Sequence, residues 1–271
     1  MPESVVITRP AAQAAELATR MQQIGVTPLI FPLLEIHPLA DQRALQAALM
    51  RLDDYALVAF VSPNAIDCAF AVRPLWPQAV ALAVMGEGSR ASLARHGVCA
   101  PAYQITSPTD PHRTDSETLL AALAPVQLRG KRVLILRGES GRELLGDALR
   151  AAGALVDQVA AYRRSAPVLT TAVGNQLAEL LDTPHAWVLT SSEALRNLLD
   201  MVGKTAGANG VAKIRQKTLL VPHARIAQTA RELGFTQVTQ TDPGDVGLLQ
   251  AMQNLHASQP LQAAQALQSR P

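Results

Sequence analysis

Aromatic side chains are scarce, at only 3% of the 271 residues. The cores must therefore be built from Leu, Val, Ile and Ala, which suits helices packed on parallel strands. An excess of one charge is also missing: the formal net charge is +2. With no run of Lys or Arg to form a stripe, nucleic acid is not an expected partner, although a local anion site remains open. Cysteine is limited to Cys68 and Cys99. Both have apolar neighbours and lack Cys-x-x-Cys or Cys/His ligand spacing, so both are expected as core fillers without a redox or metal role. No uninterrupted apolar run reaches the roughly 18 to 20 residues that span a bilayer, so no membrane contact is expected. The N-terminus passes from MPES straight into VVITRP without a basic region and an apolar signal segment. A soluble, cytoplasmic protein is the expectation.

What is present is a repeating strand and helix period, with 48% apolar residues in all. The stretch 132–164, RVLILRGESGRELLGDALRAAGALVDQVAAYRR, carries the pattern most plainly. It reads as a strand over 133–136, a polar loop, an amphipathic helix over 143–152 with Leu144, Leu145, Ala148 and Leu149 on one face, a stop at Gly153, and a second strand through Tyr162. The same period predicts strands at 5–8, 56–61, 81–85, 98–105, 186–190, 218–221 and 237–241, with helices between them. Ser116 is expected to cap the helix 116–123, GEGSRA (86–91) to form a loop before its helix, and GKTAGANG (203–210) to form a loop after one. Pro32 divides 27–37 into two extended pieces, and the strand running to 164 is long. Either the two sheets are sequential halves, or 38–163 is inserted into a domain made from 1–35 and 167–258. The two long interrupted strands favour insertion, and the Gln- and Ala-rich tail 259–271 is expected to be disordered.

Hydroxyls recur where strands end and helices begin: Thr8, Ser62, Ser89, Ser191 and Ser192, with Gly138, Gly141 and His223 in equivalent places. A hydroxyl there caps the helix, and together with the N–H groups of the first turn it makes an anion site. Arg9, Arg137, Arg142 and Arg225 stand at the same ends, suited either to forked pairing with carboxylates or to salt bridges. Two sheets facing each other would ring one cleft with these groups. Tyr162, on a proposed crossover strand, is a candidate proton donor or an interface tyrosine. Gly86-x-Gly88-x-x-Ala91 follows a strand as a dinucleotide fingerprint does, but the next strand ends without the required acid. No paired-carboxylate set, Ser-His-Asp order or metal cluster among the six histidines is apparent.

The segment LILRGESGRELLGDAL (134–149), with VVITRP, TSSEALRNL (190–198) and RIAQTARELGF (225–235) in the same order, resembles the uroporphyrinogen-III synthase family. The resemblance runs from about Val5 to Leu255. It implies an α/β fold of two flavodoxin-like parallel-sheet domains joined by a two-stranded ladder, the second domain inserted in the first. It also implies a cofactor-free lyase, here expected as a monomer, that cyclises hydroxymethylbilane, a linear tetrapyrrole polycarboxylate. Water is lost and ring D inverted by way of a proposed spirocyclic intermediate. By that resemblance Tyr162 matches the family's cleft tyrosine, and Ser62, Ser89 and Ser191 match cleft positions that carry Thr or Ser. Arg9, Arg137, Gly138, Gly141, Arg142, Ser192 and Arg225 complete the expected substrate-binding set. Gly88 and Pro222-His223 depart from the family's pattern. A non-catalytic anion- or ligand-binding module of the same shape is the rival reading.

Overall fold

A computed structural model describes residues 4–110 and 115–257. The tail 259–271 lies outside the described residues, as does part of the Pro-rich loop 107–113. In chain order the elements are β1 (Ser4–Ile7), α1 (Ala11–Gln23), β2 (Thr27–Ile30), β3 (Glu35–His37), α2 (Arg43–Met50), β4 (Leu57–Phe60), α3 (Pro63–Val72), β5 (Ala81–Val84) and α4 (Glu87–Arg95). There follow β6 (Ile105–Thr106), α5 (Ser116–Leu123), β7 (Arg132–Gly138), α6 (Leu144–Ala151), β8 (Leu155–Ser165) and α7 (Thr171–Asp182). The chain continues through β9 (Ala186–Val188), α8 (Ser192–Arg215), β10 (Thr218–Val221), α9 (Ala224–Glu232), β11 (Gln237–Gln240) and α10 (Gly244–Ala257). Two compact units result, one from Met1–Glu35 with Ala166–Pro271, the other from Ile36–Ser165.

The first unit holds a five-stranded sheet in the order β11-β10-β9-β1-β2, built of parallel pairs. Strand alternation divides its core in two. Val5, Ile7, Val188 and Leu220 point to one face, where Leu17 and Met21 of α1 and Leu248 and Met252 of α10 cover them. Val6, Trp187, Leu219 and Val221 point to the other, under Leu177 of α7, Leu195 and Leu198 of α8 and Ile226 of α9.

The second unit holds a six-stranded sheet in the order β3-β8-β7-β4-β5-β6, with the pairs β7–β8, β4–β7, β4–β5 and β5–β6 parallel. Val58, Phe60, Leu134 and Leu136 face α2, α3 and α4 through Leu45, Leu49, Ile66 and Leu93. Leu57, Ala59, Val133 and Ile135 face α5 and α6 through Leu119, Leu145 and Leu149. With both faces covered, the central strands β4, β5 and β7 read as largely continuous apolar runs, as buried parallel strands do.

Local expectations fail at four places. The strand expected over 98–105 shrinks to β6, because a turn holds 100–102 and Pro101 has no N–H to give to a ladder. Cys99, left outside a strand, is exposed and fills no core; Cys68 is half-buried. GKTAGANG is helical: α8 runs through it and breaks only at Gly207, whose φ of 59° a glycine adopts without strain. The cap of α5 is Asp115, whose side chain accepts from Thr118 N–H in a capping box, and Ser116 is the first residue of the helix. GEGSRA is likewise no loop, since α4 begins at Glu87 and Ser89 lies buried inside it.

Candidate functional site

In a parallel sheet the ligand-facing edge is the carboxyl end of the strands. In the second unit the three neighbouring strands β4, β7 and β8 bring Ser62, Gly138 and Tyr162 to that edge. Ser62 follows β4 and caps α3, its Oγ accepting the N–H of Ala65 at 3.2 Å, with Pro63 in the first turn. Tyr162 on β8 is only 3% exposed, and its Oη lies 3.0 Å from Ser62 Oγ. Strands β8 and β4 stand two ladder spacings apart, about 10 Å, so the tyrosine must lie across β7 to make that bond.

Gly138 is where the ring crosses. A Cβ built there would stand 3.1 Å from Tyr162 Cζ and 3.3 Å from its Oη, closer than ordinary carbon contact. A register shift between Arg137 and Gly138 sets Gly138 opposite Tyr162, and the Glu139 N–H donates to the Tyr162 carbonyl at 2.8 Å.

Arg137, one residue earlier on β7, is 8% exposed. Its guanidinium donates to Glu143 at 2.5 Å and to Gln158 Oε1 at 2.9 Å, and it lies against Gly141. Arg137, and then Gln158, hold the Glu143 carboxyl below the usual carboxylate range. Arg142 reaches Glu117 of α5 at 2.9 and 3.3 Å, not the neighbouring glutamates. Ser89, expected at a strand end, is buried in α4, whose N-cap is Gly86.

In the first unit, Ser191 caps α8 by accepting from Glu193 N–H at 3.1 Å, and Ser192 Oγ is 3.2 Å from Thr229 Oγ1. Arg9 pairs with Asp245 at 2.5 Å, and Thr8, buried, donates to the Val188 carbonyl at 2.7 Å. Arg225 is exposed in the first turn of α9, without an ion pair among the described residues. Of the four expected arginines, three are thus held by carboxylates and one stands open. The partners Gln158, Glu117 and Asp245 were not legible beforehand. An acid in the first turn of α10 was the one available signal, since such a residue stabilises a helix start and offers a partner to nearby arginines.

Among the described residues, no group of three or more His, Cys, Asp or Glu could hold a metal ion, and no helix is long and apolar enough to cross a membrane.

Fold and site together define a class: a two-sheet parallel α/β protein with a buried tyrosine in one unit and, in each unit, capped helix starts and arginines near the strand ends. A family model described as Uroporphyrinogen-III synthase HemD matches residues 15–250. The chain belongs to the uroporphyrinogen-III synthase family. The uroporphyrinogen-III synthase of Escherichia coli (strain K12) is 33% identical over 257 residues, covering 92% of this chain and 100% of its own. That of Salmonella typhimurium is 34% identical over 259 residues, with coverage of 92% and 100%. Among solved structures, uroporphyrinogen-III synthetase from Helicobacter pylori aligns with a TM-score of 0.58 at 15% identity, over 94% of this chain and 100% of that one. A Thermus thermophilus uroporphyrinogen III synthase mutant aligns at 0.55 and 17%, over 94% and 99%. At such identities these two structures share the fold.

Proposed function

We propose that the protein converts hydroxymethylbilane to uroporphyrinogen III, with Tyr162 as the proton donor to the departing hydroxyl. The observation that carries this reading is the tyrosine held over Gly138 against Ser62, at the ligand-facing edge of the sheet. A tyrosine so buried can act on a ligand only through its hydroxyl end.

The substrate carries its own nucleophile, since a pyrrole ring supplies electrons at carbon. What it needs from protein is orientation and one proton. Tyr162 gives its proton to the hydroxymethyl oxygen, the C–O bond breaks and water leaves. The resulting cation is attacked by ring D at its substituted carbon, and rearrangement of the spirocyclic species inverts that ring. The proton released as the macrocycle closes returns the phenolate to phenol.

Groups suited to substrate carboxylates are Arg142 in the second unit and, in the first, Arg225 and the helix start of α8, each offering a modest contact. Arg9 and Arg137, each already paired with a carboxylate of the protein, would have to exchange that partner to bind substrate. On this reading the two units are flavodoxin-like domains, as the strand order of the first supports, joined through the β3 and β8 strands, and the protein acts as a monomer without cofactor.

The test is incubation with freshly made hydroxymethylbilane and separation of the product isomers. The type III isomer is expected. The type I isomer alone, which forms spontaneously, would sink the reading. Tyr162→Phe is expected to lower turnover by about 10²- to 10⁴-fold with the fold retained.

A further inference from the structure

The bond between Ser62 and Tyr162 has two possible directions, and a tyrosine that delivers its proton to substrate needs one of them. Ser62 Oγ already accepts the Ala65 N–H at 3.2 Å. A hydroxyl has one proton to give and two lone pairs. If Tyr162 were the donor, both lone pairs of Ser62 would be filled and its own O–H would have no acceptor among the described residues, at a half-buried position. With Ser62 as donor, its O–H is used, one lone pair takes the Ala65 N–H, and the O–H left without an acceptor among the described residues is the phenol's, the proton that the proposed reaction spends. We infer that Ser62 donates to Tyr162 Oη and is a positioning residue that keeps the phenol proton free for delivery, not a ligand for substrate carboxylates.

The chain then runs from Ala65 N–H to Ser62 O–H to Tyr162 Oη, each bond polarising the next. It begins at the positive end of α3, a helix of 10 residues. When Tyr162 gives up its proton, the phenolate inherits a donor that is already aimed at it, so no group has to reorganise during the step. Gly138 completes the arrangement by keeping the ring in place from below.

This rests on Tyr162 being the proton donor, so the experiment reads the bond and the reaction separately. The chain has three tyrosines, and Tyr55 donates to Asp157 while Tyr103 donates to the Trp76 carbonyl. The tyrosine doublet in ultraviolet resonance Raman spectra distinguishes a donating phenol from an accepting one. The spectrum of the free protein minus that of Tyr162→Phe is expected to carry an acceptor signature, lost in Ser62→Ala.

In turnover, Ser62→Ala is expected to lower kcat by about 10- to 100-fold, the worth of one hydrogen bond to a charged group, with KM unchanged. Ser62→Thr restores it. Ser62→Gly, which costs a helix cap only a few tenths of a kcal/mol against about 1 kcal/mol for alanine, loses as much turnover as Ser62→Ala. A purely capping role would instead spare the glycine variant. A donor signature for Tyr162, or normal kcat in Ser62→Ala beside an inactive Tyr162→Phe, overturns the inference while leaving the proposed reaction intact. Normal turnover in Tyr162→Phe removes the acid and this role of Ser62 with it.

Discussion

Gly138→Ala perturbs the candidate site without touching a polar group. The new Cβ would stand 3.1 Å from Tyr162 Cζ and 3.3 Å from Cε2 and Oη. Carbon atoms in ordinary contact sit about 3.5 to 4.0 Å apart, so the ring must give by about 0.5 Å. Its Oη is 3.0 Å from Ser62 Oγ. A movement of that size away from the strand takes the bond to about 3.5 Å, the edge of what counts as a hydrogen bond. The expected loss in kcat is about 10- to 100-fold. Overpacking destabilises by about 1 to 3 kcal/mol, which leaves the protein folded. Stopped assays with fresh hydroxymethylbilane, with isomers separated and urea midpoints measured on the same samples, give both quantities. Because Gly138→Ala and Ser62→Ala act on one bond, the double variant should be scarcely worse than the worse single one. A Gly138→Ala enzyme with parental kcat, or a double variant whose losses multiply, would refute the idea that the ring's seat on bare backbone sets the geometry.

Two further outcomes test other parts of the molecule. Arg225→Ala should leave stability within about 0.5 kcal/mol, since the side chain is exposed and without an ion pair among the described residues. It should raise KM about 10-fold if the arginine meets a substrate carboxylate, and more than Arg142→Ala, whose guanidinium is shared with Glu117; an unchanged KM removes Arg225 from the binding set. His185, hydrogen-bonded to Ser4 Oγ at 2.5 Å, has its pKa lowered by burial and then by Lys217. The native state therefore holds it neutral while the unfolded chain takes up a proton near pH 6.5, so stability present above that pH declines as pH falls through it towards the lower native value. Urea midpoints measured at about pH 7.5 and about pH 5.5 should differ less in His185→Asn than in the parent, and equal differences would discount the histidine.

Much of this protein was legible in one dimension. Apolar runs at 57–60, 133–136 and 218–221 declared buried parallel strands because both faces of such strands are covered, and Leu17 with Met21, or Leu145 with Leu149, declared helix faces by their spacing. Short-range chemistry was legible too where one strong signal stood alone, as with Ser62 before Pro63 at the start of α3. It misled where signals competed. Glycine-rich GKTAGANG became helix, because Val202, Gly210 and Ile214 bury against the first unit's core and outweigh its poor propensity. Asp115 displaced Ser116 as a cap because a carboxylate one residue earlier could reach Thr118 N–H.

Partners were another matter. That Tyr162 meets Ser62, 100 positions away, follows from β4, β7 and β8 being neighbours and from one missing side chain between them. That Arg9 finds Asp245, and Arg137 finds Glu143 with Gln158, is likewise settled by strand order and register. Residue spacing carries the period of each element and hence its buried face. Which polar atoms then come within 3 Å of one another depends on how the elements are stacked, and only the tertiary structure decides that.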